Sequence, residues 1–215
     1  MKITLLCSDV KHPVNAYLRD WMDTQQGVHE VELVQRKSDL AGGEILFLVS
    51  CSEIIDEKVR GIYLSTLVLH ASDLPKGRGW SPHIWEIVNG SEVITLSLLE
   101  VEDKVDSGRI WRKLDIPVPK HALWDEINHL LFEAEVELIN FAVQNFGSVE
   151  PIHQIAADAV SYYSKRTPAD SRIDVNKSIA EQFDLIRVCD PNRFPAYFEH
   201  LGILYTLKLE KIHDL

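Results

Sequence analysis

Gly42-Gly43-Glu44-Ile45-Leu46-Phe47-Leu48-Val49 carries an unbroken apolar run behind a pair of glycines. A run that does not alternate suits a strand covered on both faces, as in a parallel sheet. Segments of the same kind lie on either side of it. Upstream, Ile3 to Cys7 is apolar and partly β-branched, Ser8-Asp9 follows, and the amphipathic stretch Pro13 to Gln26 ends at Gly27. That order reads as strand, loop and helix. Val28 to Gln35 alternates imperfectly and suits an outer strand. Downstream, Glu53 to Ile62 has a short helical pattern, and Leu67-Val68-Leu69 is another buried-strand run. Strands alternating with helices predict an α/β fold with a Rossmann-like, mainly parallel sheet.

Pro75, Gly77 and Gly79 then interrupt the pattern. Ser81-Pro82 starts a helix that Asn89-Gly90 ends, Val93 to Val101 returns to strand, Lys104 to Gly108 is a turn, and Arg109 to Ile116 is extended. The longest helix is predicted from about His121 to Phe146. Leu123, Ile127, Leu130, Leu131, Ala134, Leu138, Ile139 and Ala142 fall at steps of three and four and form one buried stripe, with Glu126, Glu133 and Glu137 on the solvated face. After Gly147 the composition shifts to Ser, Tyr, Lys, Arg, Thr and Pro, which resembles a linker. Ser178 to Val188 reads as a helix, and Phe194 to Phe198 and Ile203 to Leu209 as turn and strands. The expected division is a main domain over 1–147, then a linker and a small C-terminal α+β module over 148–215.

The chain has 215 residues, 46% of them hydrophobic and 26% charged, which is enough for a substantial core. Its net charge of −11 argues against general attraction to nucleic acid or anionic lipid, although a local basic pocket is compatible with it. Cys7, Cys51 and Cys189 are odd in number and lack a C-x-x-C spacing, so neither a disulfide framework nor a zinc site is expected, and a reducing compartment is. No apolar run is long enough for a bilayer, and Asp9 and Lys11 come too early for a signal peptide. The expected location is the cytoplasm. His121, His129, His83 and Glu86 have no dense ligand spacing, and no metal is expected.

The segment richest in chemistry is His70-Ala71-Ser72-Asp73-Leu74-Pro75-Lys76-Gly77-Arg78-Gly79-Trp80-Ser81-Pro82. His70 stands at the end of a buried strand, where parallel sheets place ligand sites. Position alone leaves two readings open, an acid–base group or a histidine that hydrogen-bonds loop backbone. Trp80 and Trp85 flank the helix start, as packing residues or, for Trp80, as part of a substrate mouth.

The pattern His-x-Ser-x-Leu-Pro, then Arg78-Gly79 and Pro82, resembles the signature loop of the folate-dependent formyltransferases. Val105-Asp106-Ser107-Gly108 is similar to a second element of that family, at a like spacing from the histidine. The likeness runs from about Ile45 to Ile116 and continues more weakly through Ser178 to Leu209. It implies the formyltransferase fold and transfer of a formyl group from 10-formyltetrahydrofolate to an amine. An imidazolium at His70 would then stabilise the tetrahedral oxyanion, and Asp106 would take up the amine's proton directly or through water.

Family members usually carry an Asn two residues before the histidine, and here that position is Val68. The Ser72 hydroxyl or a loop N–H is the expected substitute donor. The first turn, Ser8-Asp9-Val10-Lys11-His12-Pro13, also departs from the family's Gly-rich or aromatic turn. By the same resemblance the folate lies against Ser50, Cys51, Ser52, Ile54 and Ile55 and against the loop holding Glu102 and Val105, with backbone groups reading the pterin. Ser8, Lys11, Lys76, Arg78, Gly79 and Tyr197 are the expected acceptor-binding residues.

The tRNA branch as a rule adds a basic domain, and the purine branch lacks a terminal module, so neither fits this chain well. The loop looks like that of sugar N-formyltransferases of the pseudaminic acid type, which implies a UDP-linked 4-amino-4,6-dideoxy sugar. The alternatives are a carrier-bound aminoacyl acceptor and a non-catalytic sensor of folate or nucleotide sugar. The apolar terminal module is a candidate for pairing two subunits.

Overall fold

A computed structural model describes residues 1–155 and 160–212. Strands β1 (Lys2–Leu6), β2 (Glu30–Val34), β3 (Gly43–Leu48) and β4 (Tyr63–His70) pair in parallel. β6 (Val93–Glu100) runs antiparallel to β4, and β7 (Ile110–Pro117) antiparallel to β6, giving the six-stranded order β2-β1-β3-β4-β6-β7. The α/β, mainly parallel sheet is therefore as expected, with a direction change at one side. Between β1 and β3 the chain order switches direction, so the ends of those strands border a crevice of the kind that binds ligands in open α/β sheets.

One face of the sheet carries the larger core. Ile3, Leu5, Ile45, Phe47, Leu67 and Leu69 pack there against α1 (Val14–Thr24), α3 (Pro82–Val88) and α4 (Trp124–Gln144). In α4 the predicted stripe is realised by Ile127, Leu131, Ala134, Leu138, Ile139 and Ala142, all buried. Its first turn is closed by Glu126, whose carboxylate accepts the Leu123 N–H at 2.8 Å. Glu126 is thus a helix cap rather than only a solvated residue.

The opposite face is covered more thinly. Leu6, Leu46, Leu48, Ile55 and Tyr63 form its core, with Val59, Val68 and Val101 against them. The helix expected over 53–62 shrinks to α2 (Glu57–Arg60), because the Asp56 side chain accepts the Val59 N–H and fixes the start there, with Gly61 as the C-cap. The helix expected over 178–188 likewise resolves into a 3-10 turn (Ala180–Gln182) and a short α5 (Phe183–Arg187). β9 (Ala196–His200) and β10 (Ile203–Leu207) form an antiparallel hairpin over a cluster of Ile173, Ile186, Cys189 and Ala196.

The segment that composition reads as a linker is structured where it is described. β8 (Tyr162–Tyr163) pairs in parallel with β5 (Arg78–Gly79), and Ile152 bridges to Ile110 on β7. Among the described residues no helix is long and apolar enough to cross a membrane.

Candidate active site

β4 ends at His70, and strand alternation puts Val68 on the same face as His70 and turns Leu67 and Leu69 to the larger core. Beyond β4 the chain makes a tight loop. Gly77 has φ 70°, and a Cβ there would meet Ser72 Cβ at 2.8 Å, so only glycine lets the loop fold back over Ser72. That return brings the Gly77 carbonyl to His70 Nε2 at 2.9 Å.

Asp106 arrives from the β6–β7 loop in a left-handed conformation, φ 55°. Gly108 follows, and its α-carbon lies against the Glu100 carbonyl so closely that no side chain fits. Asp106 Oδ1 stands 3.5 Å from His70 Nδ1, and Asp106 Oδ2 accepts the Gly79 N–H at 3.0 Å. Both side chains are largely enclosed.

These contacts fix the imidazole tautomer. A carbonyl oxygen only accepts, so Nε2 carries a hydrogen in either protonation state. Nδ1 is then the nitrogen whose proton comes and goes, and it faces the carboxylate. The loop-backbone reading of His70 is thus met at Nε2, and Nδ1 is left beside the Asp106 carboxylate.

Ionisable neighbours surround the pair. Burial pushes His83 on α3 down to about 4, helped by the nearby charges of His70, His12 and Arg166. Burial likewise takes His12 down to about 4, with Arg193 adding to it. Both are neutral at pH 7. Glu86 is pushed up to about 7, first by burial and then by Asp73.

Ser52, expected against the folate, meets Ser8, expected against the acceptor, at the ends of β1 and β3. Ser52 N–H donates to Ser8 Oγ at 2.8 Å, and the two hydroxyls are 3.0 Å apart. Ser50 is exposed in a left-handed conformation, Cys51 is half-buried, Ile54 is exposed, and Ile55 is buried in the smaller core. Glu102 and Val105 are exposed on the loop that presents Asp106. Arg60 on α2 ties that loop down through Asp103 at 2.5 Å.

The expected acceptor-binding residues separate. Lys11 and Lys76 are exposed, and Gly79 touches Asp106. Arg78 is only 6% exposed, with Nη2 on Gln154 Oε1 at 2.7 Å and Nη1 on the Tyr162 hydroxyl at 3.3 Å. Tyr197 sits in the β9–β10 hairpin opposite Thr206, with no hydrogen bond to the 70–82 loop among the described residues. Ser72 is fully enclosed, and its hydroxyl has no partner among the described residues while its carbonyl accepts from Ser97.

Sequence reasoning missed the far side of the loop. Gln154, Ser161, Tyr162 and Tyr163 all touch it, the last stacked on Trp85. Lys165 lies over the Trp80 ring at 4.7 Å. Among the described residues no group of three or more His, Cys, Asp or Glu is arranged to hold a metal. A recess of about 390 Å³ beside His121, Leu123, Phe183 and Leu209 lies outside these loops.

An open, mainly parallel sheet with an imidazole beside a carboxylate at the carboxyl end of β4 has the layout of α/β proteins that bind ligands at that end of the sheet. Residues 11–143 match the formyl transferase family, and the chain belongs to that family. The bifunctional polymyxin resistance protein ArnA of Wigglesworthia glossinidia brevipalpis is 28% identical over 172 residues, covering 77% of this chain and 26% of that protein. The chain thus spans about a quarter of that relative's length.

Solved structures share the fold. A methionyl-tRNA formyltransferase from Clostridium thermocellum superposes with a TM-score of 0.80 at 19% identity, covering 96% of both chains. HypX from Aquifex aeolicus in complex with tetrahydrofolic acid gives 0.78 at 21%, covering 95% of this chain and 36% of that one. A sugar N-formyltransferase from Shewanella sp FDAARGOS_354 gives 0.73 at 13%, covering 100% and 99%.

Proposed function

We propose that the chain transfers a formyl group from 10-formyltetrahydrofolate to the primary amine of a nucleotide-linked amino sugar, of the UDP-4-amino-4,6-dideoxy type. The observation that carries this reading is the His70–Asp106 pair, with Asp106 Oδ1 3.5 Å from Nδ1 and Nε2 on the Gly77 carbonyl at 2.9 Å. Family membership and the tetrahydrofolate-bound fold relative support the cosubstrate. The sugar-acting fold relative and the net charge of −11 favour a small acceptor over tRNA.

The ends of β1 and β3 and the Asp106 loop offer exposed polar and backbone groups around a crevice, which suits a pterin read by main chain. We assign the folate to Ser50, Cys51, Ser52, Ile54, Ile55, Glu102 and Val105, and the acceptor to Ser8, Lys11, Lys76 and Gly79. The cosubstrate supplies an electrophilic formyl carbon. We assign stabilisation of the negative charge that grows on the formyl oxygen as the amine adds to the imidazolium of His70, whose Nδ1 edge lies beside Asp106. Asp106 Oδ1, 3.5 Å from Nδ1, receives the proton the amine loses, and collapse of the tetrahedral adduct then breaks the bond from the formyl carbon to N10 of the folate, which takes up that proton and leaves as tetrahydrofolate. Val68 offers no hydrogen-bond donor, so this chain's oxyanion stabilisation rests on Nδ1 and loop N–H groups.

The test is mass spectrometry of the UDP-amino sugar after incubation with enzyme and 10-formyltetrahydrofolate, beside His70→Ala and Asp106→Asn. A formyl increment in wild type that both variants form at least about a hundredfold more slowly is the expected result. Formylation only of a carrier-bound aminoacyl group would replace the acceptor. Folate binding with no turnover on any amine would leave a sensor, a role to which the missing donor at Val68 points.

A further inference from the structure

We infer that Gln154 is a positioning residue that holds Asp106 against His70, an inference that rests on the catalytic reading of that pair. Asp106 occupies a left-handed backbone conformation, which is unfavourable for a residue with a side chain and persists where neighbours hold it. Gln154 is that neighbour. Its Nε2 donates to the Asp106 and Gly108 carbonyls, both at 2.9 Å, and so pins the turn on either side of Ser107. Its Oε1 accepts from Arg78 Nη2 at 2.7 Å. The amide orientation follows from chemistry, because a guanidinium has no acceptor and a carbonyl has no donor.

The geometry closes on itself. Gly77, Arg78 and Gly79 are consecutive, and they reach His70, Gln154 and Asp106 respectively. Gln154 therefore ties the loop that carries the imidazole's partner carbonyl to the turn that carries the carboxylate. Without it the left-handed turn relaxes and Asp106 Oδ1 leaves the Nδ1 edge.

The test is steady-state kinetics of formyl transfer for wild type, Gln154→Ala and Gln154→Glu, each also in an Asp106→Asn background. Misplacement of a reacting group by about 1 Å costs up to roughly a hundredfold. In Gln154→Ala, kcat is expected to fall roughly ten- to a hundredfold with KM for both substrates within about twofold. Gln154→Glu keeps an acceptor for Arg78 but loses both donors, and it is expected to fall as far. In Asp106→Asn the Gln154 effect is expected to vanish, since both act through one carboxylate. Wild-type kcat in either Gln154 variant, or a full additional loss in the Asp106→Asn background, overturns the inference.

If wild type shows no formyl transfer, the functional reading fails by itself. The clamp is then read from hydrogen exchange at the Gly79 amide, which Asp106 Oδ2 protects. Faster exchange in Gln154→Ala supports the clamp, and unchanged exchange overturns it.

Discussion

At the residue scale, His70 and Asp106 are expected to dominate turnover. His70→Ala should lower kcat about a hundredfold to ten-thousandfold while leaving the melting temperature near wild type, as measured by formyl transfer and thermal melts. Glu135 makes a different prediction. It is buried inside α4 with Oε2 unpaired, and burial pushes it up from 4.5 to about 8. Folding therefore favours its protonated form, so its contribution is full below about 4.5 and is lost as pH rises towards about 8. Glu135→Gln should match wild type near pH 5 and melt a few degrees higher at pH 9, in melts across that range. His12 and His83, both lowered to about 4, have the opposite sign, and their contribution is lost as pH falls from 6.5 to about 4. His70 and Asp106 were legible because they sit in two motifs in register. Gln154 was not, because it works through backbone carbonyls, which leave no trace in residue type. Glu135 was not, because a lone acid within a helix of many acids looks like surface.

Among the elements, the two-residue pairing of β5 with β8 is the most sensitive. Gly79 has φ 98°, and a Cβ there would lie 2.3 Å from the Tyr163 carbonyl. Gly79→Ala should therefore separate the pair, lose the bond from Gly79 N–H to Asp106, and destabilise by about 1–3 kcal/mol, read as a lower denaturant midpoint together with a lower kcat. The buried strands were readable because their runs are long and apolar. β5 and β8 were not, because two residues carry no period. The Glu53–Ile62 stretch kept a helical pattern in its apolar residues, but Asp56 and Gly61 confined the helix to one turn.

For the whole molecule, alternation of strand and helix was enough to give a mainly parallel sheet. It did not give the antiparallel sense of β6 and β7, because period and composition carry no strand direction. The proposed boundary after Gly147 can be tested directly. A chain ending there should retain the spectrum of the α/β sheet in circular dichroism yet lose at least about a hundredfold in kcat, because Gln154 and Ser161–Tyr163 no longer brace the loop. Three consecutive residues, Gly77 to Gly79, join His70 of their own loop to Gln154 and Asp106 from two distant stretches of chain. The site is consequently not a portable cassette. Swapping residues 70–82 between relatives would carry the imidazole across without its counterparts, and a functional chimaera must inherit 106–108 and 152–163 from the same parent.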